Sequence, residues 1–124
     1  MILKKNYIEE IMYEKNNIFA KILRGEIPCE TVYEDDKVLF INDINPQAKI
    51  HILGLPKMEV ENIGDFITKA GSDIFNHFFI KTYDIIKEKN IEKTGFKIIT
   101  NSGEDGGQEV PHFHIHILGG EKLY

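Results

Sequence analysis

The sequence has one cysteine, Cys29, and so no internal disulfide. That argues against a small extracellular scaffold held by cross-links and fits a reducing cytoplasm, the location expected here. No stretch is apolar and long enough to span a bilayer, and no membrane partner is expected. Residues 1–17 mix Lys and Glu with Ile and Tyr, without the unbroken apolar core of a signal peptide. There is no basic excess either: 15 Lys and Arg against 20 Asp and Glu give a formal net charge of −5. Sequence-independent nucleic-acid binding needs a basic footprint, so nucleic acid is not an expected partner. A small anion remains possible, because local dipoles and histidines override net charge over a few ångströms. Repeats, linkers and low-complexity tracts are missing too. The 124 residues, 42 % of them hydrophobic, suit a single domain with a substantial core.

What is present is a row of histidines. Of five in the chain, three alternate in Pro111-His112-Phe113-His114-Ile115-His116-Ile117-Leu118-Gly119-Gly120; the others are His51 and His77. In a strand over 111–118, His112, His114 and His116 would share one face, with imidazoles roughly 6.5–7 Å apart. Phe113, Ile115 and Ile117 would point into a core.

The rest of the chain supplies a frame. Apolar residues at helical spacing run from Ile8, Ile11 and Met12 to Ile18, Phe19, Ile22 and Leu23, broken at Asn16-Asn17 and stopped by Gly25. Thr31–Glu34 and Val38–Asn42 read as a hairpin turned at Asp35-Asp36. A third strand covers 49–53, closed by Gly54 and Pro56. The pattern predicts a helix over 72–89 with Ser72 as its N-cap and Asp73 favouring the positive end of its dipole. Phe75, Phe78, Phe79, Ile85 and Ile86 share one face; Ile74, Ile80 and Tyr83 widen the apolar arc beyond one sheet contact, which suggests a second contact such as another subunit. A fourth strand covers 96–101. Antiparallel strands around one long helix make the fold class α+β.

The fourth strand leads into Ser102–Gly107, a glycine-rich loop that can bring backbone N–H groups to an anion. Such a loop alone is most often a tight connection. Followed by three aligned histidines, it looks like a cradle for phosphate or carboxylate. Histidine binds metal, transfers protons or acts as a nucleophile, and all three roles are open at this point. His-x-His can supply two metal ligands, with His51 or Glu109 as a third.

The chain resembles the histidine triad (HIT) family, in its Hint or nucleoside phosphoramidase branch. The resemblance rests on His112-Phe113-His114-Ile115-His116-Ile117-Leu118, Gly106-Gly107-Gln108, Asn101-Ser102-Gly103, Asp43-Ile44-Asn45-Pro46-Gln47-Ala48, His51, Leu55-Pro56-Lys57, Tyr33-Glu34-Asp35-Asp36 and Ile18-Phe19-Ala20-Lys21-Ile22. It implies a HIT-like fold over 17–124: a five-stranded antiparallel sheet with one long and one short helix, forming a homodimer. Residues 1–16 would be an extension, helical or loosely ordered. It also implies hydrolysis of purine nucleoside 5'-phosphoramidates, derivatives of AMP or GMP, without metal or cofactor. His114 matches the nucleophile that attacks the α-phosphorus and forms a nucleotidyl-histidine. His116 would contact phosphate oxygens, His112 would orient the nucleophile, and His51 would join them. Asp43 would bind the ribose; Phe19, Ile18, Ile22, Ile41 and Ile44 would form the base pocket. Asn101, Gly107, Gln108 and the backbone of Glu109 and Val110 would surround the phosphate. Alternatives are hydrolysis of dinucleoside polyphosphates, a nucleotide-binding regulator with little catalysis, and a metal protein. The chain departs from the pattern at Glu109, where many Hint enzymes have Ser, and at Glu59, where His is frequent. Asn17-Ile18-Phe19-Ala20 stands where some relatives place a zinc-binding Cys-x-x-Cys. The chain ends at Tyr124, where longer Hint proteins continue, so that side of the pocket is expected to be more open or differently closed.

Overall fold

A computed structural model describes residues 12–124. Ile8 and Ile11, and with them most of the 1–16 extension, lie outside the described residues. The first helix, α1, is short, Ile18–Leu23. Asn17 caps it: its side-chain oxygen accepts the Ala20 N–H at 2.9 Å. Strands β1 (Thr31–Glu34) and β2 (Val38–Asn42) form the expected hairpin. Asp35 closes its turn, one carboxylate oxygen accepting the N–H groups of Lys37 at 2.8 Å and Val38 at 2.9 Å. Strand β3 spans Ile50–Pro56, α2 Ile63–Glu88, β4 Phe96–Ile99 and β5 Ile115–Gly119. The five strands make one antiparallel sheet in the order β1-β2-β3-β5-β4.

Four expected boundaries move. The third strand does not close at Gly54 but continues to Pro56, because Gly54 lies under the Phe40 ring, where any side chain would collide. The long helix starts at Ile63 rather than 72, capped by Asn62, whose side chain accepts the Asp65 N–H at 2.9 Å. Gly71, at φ 75° and ψ 165°, kinks it just before the expected start. The fourth strand stops at Ile99 rather than Asn101. The last strand begins only at Ile115. Upstream of it, Pro111 has no N–H, His112 N–H turns back to the Val110 carbonyl at 2.9 Å, and Phe113 N–H donates to Val60 at 2.8 Å. These bonds replace the ladder over 111–114.

The sheet has two unlike faces. On one, α2 packs through Phe66, Phe78, Ile85 and Ile86 onto Val38, Phe40, Ile52, Phe113, Ile115 and Ile117. Phe113 stacks on Phe66 with ring centres 4.8 Å apart. On the other, α1 packs through Phe19, with Ile22 and Leu23, onto Leu39, Ile41, Leu53 and Leu55. Strand alternation explains both clusters. It sends His51 and His116 to the α1 side together with Leu53 and Leu55. Among the described residues no helix is long and apolar enough to cross a membrane.

Candidate active site

A cavity of about 370 Å³ opens between α1, the β2 end and the glycine loop. Its wall includes Ile18, Phe19, Ile22, Ile41 and Ile44, the five apolar residues expected to hold a base. Asp43, Asn101, Gly107, Glu109 and Val110 also line it, with His114 and His116. His51, His112 and Gln108 lie outside the wall. Ile27, Pro28, Cys29, Asn42 and Leu53 line it as well and carry no sequence signal for that role.

The histidines form two linked sets rather than one row on a strand. Only His116 belongs to β5; the rings of His114 and His116 are 5.2 Å apart, closer than the strand spacing expected. His116 pairs with Leu53 and His51 with Leu118, so His51 and His116 are diagonal neighbours across β3 and β5. Their nitrogens, His51 Nε2 and His116 Nδ1, are 2.9 Å apart.

Each ring's tautomer follows from its partners. His51 Nδ1 accepts the Gln47 backbone N–H at 3.0 Å, so its own proton sits on Nε2 and faces His116 Nδ1. His116 then carries its proton on Nε2, its remaining nitrogen. His114 Nδ1–H donates to the His112 carbonyl at 2.7 Å, which leaves the His114 Nε2 lone pair unengaged among the described residues. His112 is fully buried; its Nε2–H donates to the Pro56 carbonyl at 2.8 Å. Its Nδ1 accepts the Tyr13 hydroxyl at 2.5 Å. The His114 backbone is held from the far side, where the Thr100 hydroxyl donates to its carbonyl at 2.7 Å. The Phe19 ring meets the His114 ring edge-on with centres 4.7 Å apart.

Burial favours the neutral form of His112, His114 and His116. It pushes His112 and His116 down to about 4, reinforced for His116 by His114 and His51 nearby. It lowers His114 as well, while the His112 carbonyl and Asp43 pull the other way.

Other expected residues serve the scaffold. Gln108 faces away from the cavity: its amide donates to the Glu61 and Val110 carbonyls at 2.7 and 2.9 Å and accepts the Gly103 N–H at 2.9 Å. It braces the glycine loop. Asn101 ties the same loop through the Gly106 carbonyl at 2.8 Å. Asp43 has two uses. One oxygen accepts the Asn45 N–H at 2.8 Å, capping the turn; the other lies 3.3 Å from His51 Nε2 at the cavity wall.

Asp43, His51 and His116 bring three potential metal-binding atoms within 4.8 Å of one another. A metal shared by two imidazoles would sit about 2.0–2.1 Å from each nitrogen. The His51 and His116 nitrogens face each other at 2.9 Å, the distance of a hydrogen bond, with ring centres 5.2 Å apart.

The HIT domain family model matches residues 24–123. The chain belongs to the HIT family. A HIT-like protein of Rickettsia prowazekii is 48 % identical over 112 residues, covering 90 % of this chain and 93 % of that protein. The purine nucleoside phosphoramidase of Escherichia coli is 37 % identical over 109 residues, covering 88 % and 91 %. Among solved structures, a histidine triad protein from Clostridium difficile superposes with a TM-score of 0.81 at 49 % identity, covering 91 % of this chain and 97 % of that one. A HIT family hydrolase from Clostridium thermocellum gives 0.81 at 34 % identity, covering 90 % and 96 %. The five-stranded antiparallel sheet with two helices is the HIT fold, and its relatives make this HIT protein a hydrolase-like enzyme at the family level.

Proposed function

We propose that this HIT protein hydrolyses purine nucleoside 5'-phosphoramidates through a nucleotidyl-histidine, in a reducing cytoplasm where Cys29 stays a thiol. The observation that carries this reading is the His114 tautomer: with Nδ1–H fixed on the His112 carbonyl, Nε2 is the nucleophilic atom. Nε2 attacks the α-phosphorus, the P–N bond breaks, and the amine departs with a proton taken from solvent, which the later hydrolysis by water returns. Water then cleaves the phosphorus–Nε2 bond, releasing a nucleoside monophosphate and restoring the neutral ring. His116, a donor through Nε2–H, meets charge on the phosphate oxygens without itself being cationic. His51 and the Gln47 N–H hold that tautomer. Asp43 takes the ribose hydroxyls, and the isoleucines with Phe19 receive the base.

Glu109 favours an amine leaving group over a polyphosphate. A departing polyphosphate would bring several negative charges to a carboxylate at the cavity wall, whereas an amine brings none. The purified enzyme should release amine from an adenosine 5'-phosphoramidate, and acid-labile adenylate should be trapped on it. His114→Ala should reduce turnover by about 10³-fold or more and abolish the adduct. Undiminished turnover by His114→Ala would refute the assignment. We further propose that the HIT domain spans residues 17–124 and that the protein acts as a homodimer.

A further inference from the structure

Tyr13 precedes the expected start of the domain, yet its hydroxyl reaches a ring at the centre of the site. It lies 2.5 Å from His112 Nδ1, with ring centres 5.6 Å apart and planes at 77°. His112 has no solvent exposure, so water cannot replace this donor without rearrangement. The direction of the bond is fixed. His112 Nε2 faces a carbonyl, which cannot donate, so Nε2 carries the proton and Nδ1 must accept. A phenol is then the donor, and a side chain ending in carbon cannot substitute.

We infer that Tyr13 is a positioning residue: it locks His112 as the neutral Nε2–H tautomer, and through the His112 carbonyl holds His114 Nδ1–H so that Nε2 faces the substrate. The chain of contacts runs Tyr13 hydroxyl, His112 ring, Pro56 carbonyl on one branch and His112 carbonyl, His114 ring on the other. The Pro56 carbonyl alone leaves the ring free to pivot about one bond and to take a second proton on Nδ1. Tyr13 closes both routes. It never touches substrate in this scheme. The inference rests on His114 being the nucleophile, but the state of His112 is a property of the protein without substrate.

Among the described residues the titratable and charged neighbours are few. His114 faces the His112 ring, and Phe19 covers it from α1, with ring centres 6.4 Å apart. Around the Tyr13 hydroxyl the charges are Glu59 and Arg24, of opposite sign. Glu59 is the position where the family pattern has a frequent His. A hydroxyl donating to Nδ1 favours the neutral ring; removing it lets Nδ1 take a proton, whose charge would fall on the ring next to the nucleophile.

The test is Tyr13→Phe in the full chain, with Tyr13→Ala beside it. Two readouts are needed: steady-state kinetics on an adenosine 5'-phosphoramidate from pH 4.5 to 8, and nitrogen-15 NMR of the histidine rings without ligand. In the wild type, His112 should show a protonated Nε2 and bare Nδ1 down to pH 5. In Tyr13→Phe, Nδ1 should titrate at least about half a unit higher. The kcat should fall about tenfold with KM within twofold, and the acid limb of kcat should move to higher pH by a similar amount. Tyr13→Ala should share these shifts and add a loss of stability. Tyr13→Phe with an unaltered His112 titration and an unaltered pH profile would overturn the inference, as would a loss of stability with kcat unaltered. Should the wild type fail to turn over the phosphoramidate, the proposed reaction falls, and the His112 titration alone decides the role of Tyr13.

Discussion

A single imidazole is a poor guide to its own role, because both ring nitrogens can donate or accept. Here each of four rings has at least one nitrogen committed to a hydrogen-bond partner, and the commitments differ. His51 is set by the Gln47 N–H, His112 by the Pro56 carbonyl and Tyr13, and His114 by the His112 carbonyl. Among the described residues the result is one free lone pair, on His114, beside one free N–H, on His116. Burial sharpens the contrast, since a buried ring resists the second proton that would make it useless as a nucleophile. The sign is simple: the active form is unprotonated, and burial lowers the pKa of His114, so protonation begins at a lower pH than in water. The profile of kcat/KM for an adenosine 5'-phosphoramidate should therefore be flat from pH 8 down past the ordinary histidine value of about 6.5 and fall only below it. A half-maximal point above pH 6.5 would show that His114 is not held in this environment.

The strands were readable because their periodicity is local. Thr31–Glu34 and Val38–Asn42 appear where alternation and the Asp35-Asp36 turn put them. Alternation also separated Phe113, Ile115 and Ile117 from the histidines even though the strand itself starts only at Ile115. What could not be read depends on residues far apart in sequence. The His51–His116 contact spans 65 positions and Tyr13–His112 spans 99, and no spacing rule encodes either. The first turns of α2 escape the sequence pattern for another reason. Gly71 interrupts the helical signal, though Ile63, Phe66, Ile67 and Ala70 carry the right period and Asn62 the right cap. Gly54 likewise looked like a strand end, whereas it sits in mid-strand because Phe40 and Ile115 fill the space of a side chain. Gly54→Ala should therefore push the Phe40 ring out of its place in the α2 core and cost about 1–3 kcal/mol in urea unfolding. An unchanged midpoint would mean that the core has slack at this position.

At the scale of the molecule, the sheet ends on an open edge. Among the described residues strand β4 pairs with β5 on one side only, leaving its outer backbone groups without strand partners there. Ile98 and Ile99 on this edge strand are 44 % and 38 % exposed. Ile98 pairs with Ile117, a core residue beneath α2, so the same sheet face continues outward past the helix. The helix is itself apolar beyond what the sheet covers: Ile67, Ile80 and Tyr83 stay exposed while Phe66, Phe78, Ile85 and Ile86 are buried. An isolated subunit would thus present an unpaired strand together with a wide apolar arc, a combination that favours association. A twofold pairing of β4 edges would satisfy the backbone groups of both copies at once, and twofold contacts are the commonest in homo-oligomers. Light scattering at micromolar concentration should give twice the 14.3 kDa chain mass. Ile98→Lys, which places a charge on the edge strand without touching the cavity, should shift that mass toward one chain. A monomeric wild type would refute the dimer and leave the open edge without a function.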